Sequence, residues 1–205
     1  LFVVAWILPL LTVGTVLLLT NIFHISPVSF SLSHIIELLP SSDDAPPIPD
    51  IELLEFVVLI MLGSIPSTFV LFGEEFGWRG YLQKRLFSES PWKSAIATGL
   101  IWGIWHFPIN LQGYNYPEYR FYGLLVFPVA CIFLSYILGW FYRNTSSIWA
   151  PCFSHAAFNG IAASLMVATI INKETYIITS VVGILGIVVL ALVSLLMHFF
   201  DRRNI

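Results

Sequence analysis

The sequence predicts an all-α protein, a polytopic transmembrane helix bundle of about six spans. Two observations carry the prediction: the chain has too little charge to face water, and its apolar runs are long enough to cross a bilayer. Of its 205 residues, 58% are hydrophobic and 10% charged, whereas a soluble domain carries about 25% charged residues. The mean hydropathy of +0.86 points the same way. The net charge is only −3 and there is no basic run, which argues against nucleic acid as a partner. Membrane lipid is the expected surroundings.

Each element follows from the length of an apolar run, since about 20 such residues span the hydrocarbon core as a helix. Candidate spans lie at 1–20, 52–73, 93–108, 120–142, 147–171 and 176–199. The second enters through Glu52 and Glu55 and is then uncharged until Glu74. The third is short and ends at Pro108. The last three are long uncharged runs. Helices are preferred to strands because the runs are long and lack the ~10-residue alternating pattern of a membrane barrel. Between the first two spans, residues 40–50 read as a polar, proline-rich loop, preceded at 28–39 by a weakly patterned interfacial helix. No repeat or second domain is visible, so 1–205 is treated as one transmembrane domain.

Two cysteines, Cys131 and Cys152, sit in apolar segments without ligand spacing; they are expected to pack as small apolar residues. The cations set an orientation. Arg79, Lys84, Arg85, Lys93, Arg143, Arg202 and Arg203 fall on one side of a six-span arrangement, and Arg120 and Lys173 on the other. By the positive-inside rule the first side is cytoplasmic. Even without Arg79, which lies close to the apolar run, the tally agrees.

Ionisable groups inside membrane segments are costly and mark functional sites. Here they occur in three places. At the end of span two, Glu75 and Arg79 are four residues apart and share a helical face, where they can pair. Glu74 points about 100° away without that partner, an environment suited to a general base. A plain membrane-edge charge cluster accounts for Lys84 and Arg85, but poorly for two adjacent glutamates after the uncharged stretch 56–73. In the second place His106 closes the third span, with Trp102 one turn before it. Ala95, Gly99 and Gly103 recur every four residues, which lets another helix backbone come close. Taken alone, His106 is as compatible with a headgroup contact as with chemistry. In the third place His155 and Asn159 project together from span five, beside a small-residue face of Ala156, Gly160 and Ser164. Interhelical hydrogen bonding is the plain alternative there. If the three helices pack, a base, a set of water or metal ligands and an oxyanion donor converge in one cavity.

These three motifs in order, Glu74-Glu75-x-x-x-Arg79, Trp102-x-x-x-His106 and His155-x-x-x-Asn159, resemble the CAAX prenyl protease and bacteriocin-processing family, also called the type II CAAX endopeptidases. The resemblance covers about 74–160, the catalytic core of that family. The second motif usually opens on Phe, where Trp102 stands here, a difference expected to affect packing more than chemistry. The resemblance implies an integral, multi-pass intramembrane endopeptidase acting on a membrane-associated peptide or protein, prenylated or of bacteriocin type. It implies that Glu74 and His106 activate the hydrolytic water, that His155 and Asn159 stabilise the oxyanion, and that Glu75 and Arg79, with Trp102, support the site. No cofactor is required by the residues. If Zn²⁺ takes part, Glu74, His106 and His155 are the expected ligands, although no H-E-x-x-H is present. The metal-independent reading is preferred. A prokaryotic cell membrane, with the active-site side cytoplasmic, is the expected location. Two other classes stay open: a non-catalytic immunity or scaffold protein of the same fold, and a proton-coupled transporter using Glu74, His106 and His155. The latter lacks the paired halves that transporters show.

Overall fold

The structure, a computed structural model, describes residues 1–29, 52–166, 170 and 172–201. The expected 40–50 loop, the interfacial helix beyond Ser29, and Arg202 and Arg203 lie outside the described residues. Among those described, the regular elements are helical, with one isolated antiparallel bridge from Val28 to Ile170.

Six principal helices are α1 (Phe2–Ile22), α2 (Leu53–Glu75), α3 (Pro91–Trp105), α4 (Arg120–Thr145), α5 (Trp149–Ile161) and α6 (Ile184–Phe199). The fold class is therefore the all-α bundle predicted. Four helical stretches, Phe2–Ile22, Leu53–Arg85, Arg120–Thr145 and Tyr176–Phe199, are long and apolar enough to cross a membrane. The protein is an integral, multi-pass membrane protein.

The acidic start of α2 is a cap: the Glu55 carboxylate accepts from the Glu52 backbone N–H at 3.2 Å. At the other end α2 widens into a π-helix over Phe76–Leu82 before a last α-turn, Gln83–Arg85. Such π-segments cluster at functional sites, and this one carries Arg79. The start of α3 follows from Pro91 in its first turn and from Ser90, whose Oγ accepts from the Lys93 N–H.

Helices α3 and α5 are shorter than the others, at 15 and 13 residues. By rise per residue they reach about 22 and 20 Å, less than the ~30 Å hydrocarbon core. Helix α5 runs on as a π-turn through Ala162–Met166. The predicted sixth span is interrupted: Tyr176–Thr179 and α6 are separated by a turn at 180–183. The turn is supported from within the protein. Tyr116 Oη donates to the Val182 carbonyl at 2.6 Å and the Val181 N–H meets Met166 Sδ at 3.1 Å. Non-helical backbone buried in protein is tolerated at membrane depth when its polar groups are paired in this way.

Helix α4 is the centre. In its most apolar window 61% of residues are inside the protein, against 22–33% for the other three long spans. The outer faces of the four long spans show Leu11, Phe69, Val70, Phe121, Leu125 and Phe199 to the surroundings, as lipid contact requires. Helix α3 lies against α4 along the predicted small-residue stripe. A Cβ on Gly99 would stand 2.5 Å from Ile132 Cα, and one on Gly103 2.5 Å from Pro128 Cα. Dispersion between closely approached backbones holds such pairs where no hydrophobic drive exists between helices in lipid. Helices α1 and α2 both pack against α5. Cys131 and Cys152 are buried and unbridged, as expected of packing residues. At one end of the bundle, Tyr136 Oη lies 2.9 Å from His198 Nδ1, Trp92 stacks on Tyr136, and Arg143 pairs with Asp201 at 3.4 Å. Together with Lys84 and Arg85, this end holds the described cations assigned to one side, with one exception: Arg79 is fully buried and takes no part in orientation.

Candidate active site

Three helices deliver the polar side chains, α2 and α5 packed on each other and α3 packed on α4, and the indole of Trp102 is the meeting point. Glu75 is fully buried. Its Oε1 accepts from Arg79 Nη1 at 2.8 Å and lies 2.7 Å from His155 Nδ1. The i,i+4 pairing predicted for Glu75 and Arg79 is thus present, and it extends across to α5. Arg79 Nη2 donates to Ser135 Oγ on α4 at 3.3 Å, and the guanidinium carbon lies 4.6 Å from the Trp102 ring centre. Opposite charge, a hydroxyl and an aromatic face together compensate a cation with no access to water.

Glu74, one residue earlier, is half-buried and has different partners. Its Oε2 accepts from Trp102 Nε1 at 3.1 Å and, at the long limit, from Trp78 Nε1 at 3.4 Å. Both are neutral donors on one oxygen, and Oε1 has no hydrogen-bond partner among the described residues. His106 caps the end of α3, with Nδ1 2.9 Å from the Trp102 carbonyl. A carbonyl only accepts, so Nδ1 carries a proton, and in the neutral ring Nε2 holds the lone pair. Trp102 touches both histidine rings, with centroids 5.8 Å from His106 and 5.2 Å from His155. Glu74, Arg79, His106 and His155 therefore meet on one indole. Trp102 does more than pack: replacing the usual Phe by Trp adds a donor to Glu74.

A family model described as type II CAAX prenyl endopeptidase, Rce1-like, matches residues 53–161. The chain belongs to this family. A curated relative, CAAX prenyl protease 2 of Methanococcus maripaludis, is 30% identical over 156 residues, covering 73% of this chain and 52% of that protein. The chain thus spans about half the length of the curated relative it matches. No solved structure matches it.

Within the family's matched region, Asn159 stands apart from the other site residues. It is exposed on the same α5 stripe as His155, one turn further on, and lines a groove of ≈ 390 Å³ between α2 and α5. The predicted small face of Ala156, Gly160 and Ser164 forms one wall of that groove, and Ser64, Ser67 and Leu71 of α2 face it. Beyond Leu71 lie Glu74 and Glu75, one turn along the same helix.

The fit of a metal can be tested on the side chains. Among the described residues no three His, Cys, Asp or Glu groups stand close enough to hold one ion. The hydrogen bonds of His155 Nδ1 and Glu74 Oε2 leave His155 Nε2 and Glu74 Oε1 open, so the misfit lies in the spacing of the groups. The set Glu74, His106 and His155 does not fit a zinc ion in this geometry, and no step below is routed through one.

Three participants were not foreseen. Trp78 is four residues from Glu74, so the i,i+4 rule that paired Glu75 with Arg79 could have found it. Ser135 is the lone serine in the apolar run of α4, a signal of the same kind as His106. Gln83 donates from Nε2 to the Ser135 carbonyl at 3.1 Å; nothing in its sequence surroundings singled it out.

Proposed function

We propose that the protein is an intramembrane endopeptidase that hydrolyses a peptide bond in a membrane-associated substrate, with Glu74 as the base. The observation that supports this reading is the contrast between the two glutamates: Glu75 is closed off from water between Arg79 and His155, whereas Glu74 is half-buried, bonded to neutral indoles, and shares the Trp102 indole with His106. A half-buried carboxylate and an imidazole held on the same indole are suited to orient and deprotonate a water between them.

In this mechanism Glu74 Oε1 takes a proton from water while His106 Nε2 accepts a hydrogen bond from the same molecule. The water oxygen bonds to the scissile carbonyl carbon. His155 Nε2 and Asn159 Nδ2 donate to the resulting oxyanion, which requires the His155 ring to carry a proton on each nitrogen. The Glu75 carboxylate at Nδ1 orients the ring and offsets its charge. The C–N bond then breaks, and the proton held by Glu74 passes to the leaving nitrogen. Preorganised donors of this kind contribute about 3–4 kcal/mol each to such transition states. The peptide enters along the α2–α5 groove, which ends one turn from His155. A prenyl chain on the substrate suits the apolar outer walls of the groove, and the relative's name, CAAX prenyl protease 2, makes prenylated peptides the first to test. In this reading the basic end of the bundle faces the cytoplasm.

The test compares wild type with Glu74→Gln on fluorogenic peptides, with and without a prenyl group, at matched thermal stability. Cleavage by wild type alone supports the reading. Equal cleavage by both rejects Glu74 as base. Cleavage by neither, with biological activity retained by the variant in cells, favours a non-catalytic scaffold.

A further inference from the structure

A second cavity, of about 480 Å³, lies at the basic end of the bundle, between the last turn of α2, the first turn of α3 and the end of α4. Its lining includes Arg79, Gln83, Lys84, Ser88, Arg143 and Ser146, and no carboxylate. Arg79 is committed to Glu75, and Arg143 pairs with Asp201. Lys84 is different: its ammonium rests 4.8 Å from the Tyr142 ring centre, and no ion pair engages it among the described residues. Two deeply buried polar atoms on the lining residues also lack partners among the described residues, Arg79 Nε and Gln83 Oε1. Since Gln83 Nε2 must be the end that donates to the Ser135 carbonyl, Oε1 is fixed as an acceptor without a donor. The first turn of α3, through Pro91 and Ser94, adds its N-terminal partial positive charge.

The unmet demands are specific. Lys84 and the surrounding cations ask for an anion. Gln83 Oε1 asks for a hydroxyl or amine donor, which a bare phosphate diester lacks. The cavity opens where Lys84 and Arg85 end a membrane span, the depth at which headgroups lie. We propose that it is a binding site for the headgroup of an acidic, hydroxyl-bearing phospholipid of the phosphatidylglycerol class. The phosphate lies against Lys84 and Arg143, and a glycerol hydroxyl donates to Gln83 Oε1. This inference is independent of catalysis, because its measurement needs no substrate.

The experiment follows thermal unfolding of the full chain in neutral detergent during titration with phosphatidylglycerol, phosphatidylcholine or inorganic phosphate. Phosphatidylglycerol is expected to raise Tm saturably, and the other two to leave it unchanged. Lys84→Gln is expected to raise the half-saturating lipid concentration about 5-fold, the effect of one cation near a lipid surface. Lys84→Arg retains binding. Arg85→Gln is the matched control: it removes the same charge one residue away, from a side chain held over Tyr81 rather than in the cavity. Equal weakening by Lys84→Gln and Arg85→Gln would mean diffuse surface attraction and overturn the site. An equal shift with phosphatidylcholine would overturn headgroup selection. The same stabilisation by inorganic phosphate would assign the cavity to a free anion instead of a lipid.

Discussion

Glu74 and Glu75 are neighbours on one helix, yet they belong to two regions with opposite chemistry. Around Glu75 the charge is met by fixed ions: a guanidinium and an imidazole share its Oε1, and the carboxylate is closed to water, although Oε2 has no partner among the described residues. Around Glu74 the partners are two neutral indoles on one oxygen, and the residue is half-buried. A charge paired with fixed ions away from water holds helices together; a charge met only by neutral donors and reachable by water can do work on a substrate. The rotation of about 100° per residue is enough to place adjacent identical side chains in these two roles.

The sharpest way to break this contrast is to neutralise each carboxylate in turn. Glu74→Gln is expected to lower peptide turnover by about 10²–10⁴-fold with Tm nearly unchanged, read by fluorogenic cleavage and differential scanning. Glu75→Gln is expected to do the reverse in emphasis, costing about 3–5 kcal/mol of stability because Arg79 is left buried without its anion. If the two variants exchanged phenotypes, the division between base and clamp would be wrong. A double variant, Glu75→Leu with Arg79→Leu, is expected to recover much of the lost Tm without recovering activity, since His155 loses the group that orients it.

Smaller perturbations sharpen the comparison. Gly99→Ala and Gly103→Ala force α3 away from α4 and are expected to cost about 1–3 kcal/mol each, seen as a lower Tm. Because Trp102 rides on α3, turnover should fall with them. Trp102→Phe keeps the ring but removes the donor to Glu74; turnover is expected to fall about 10-fold, the worth of a hydrogen bond to a charged group, with little change in Tm. The smallest expected effect is that of a chelator: dialysis against EDTA should leave turnover unchanged, as activity assays before and after zinc addition would reveal.

Much of the site was legible because each motif is local. Pairing of Glu75 with Arg79 follows from helical spacing, as does the common stripe of His155 and Asn159. The glycines at 99 and 103 announced a close helix contact before any partner was known. What stayed hidden was relational. Nothing in the chain near Glu75 says that His155, eighty residues away, will share its Oε1. Trp102 looked like a packing residue, because an indole N–H declares its acceptor only when another helix supplies one. Span six appeared continuous, since the turn at 180–183 is made of residues as apolar as the helices around it and is held by Tyr116 from a distant loop. Burial also pushes the Tyr116 phenol well above its usual range, which keeps it a donor there.

By itself the sequence determined the solvent and the class of fold: a chain this apolar, with these run lengths, must satisfy its backbone within helices in lipid. It also determined which groups were costly enough to need a reason. Only the tertiary structure decided which glutamate is closed off between ions and which stays half-open beside neutral indoles. That choice depends on the rotation of α2 against α3 and α5, and rotation is fixed by packing between helices, not by the order of residues along any one of them.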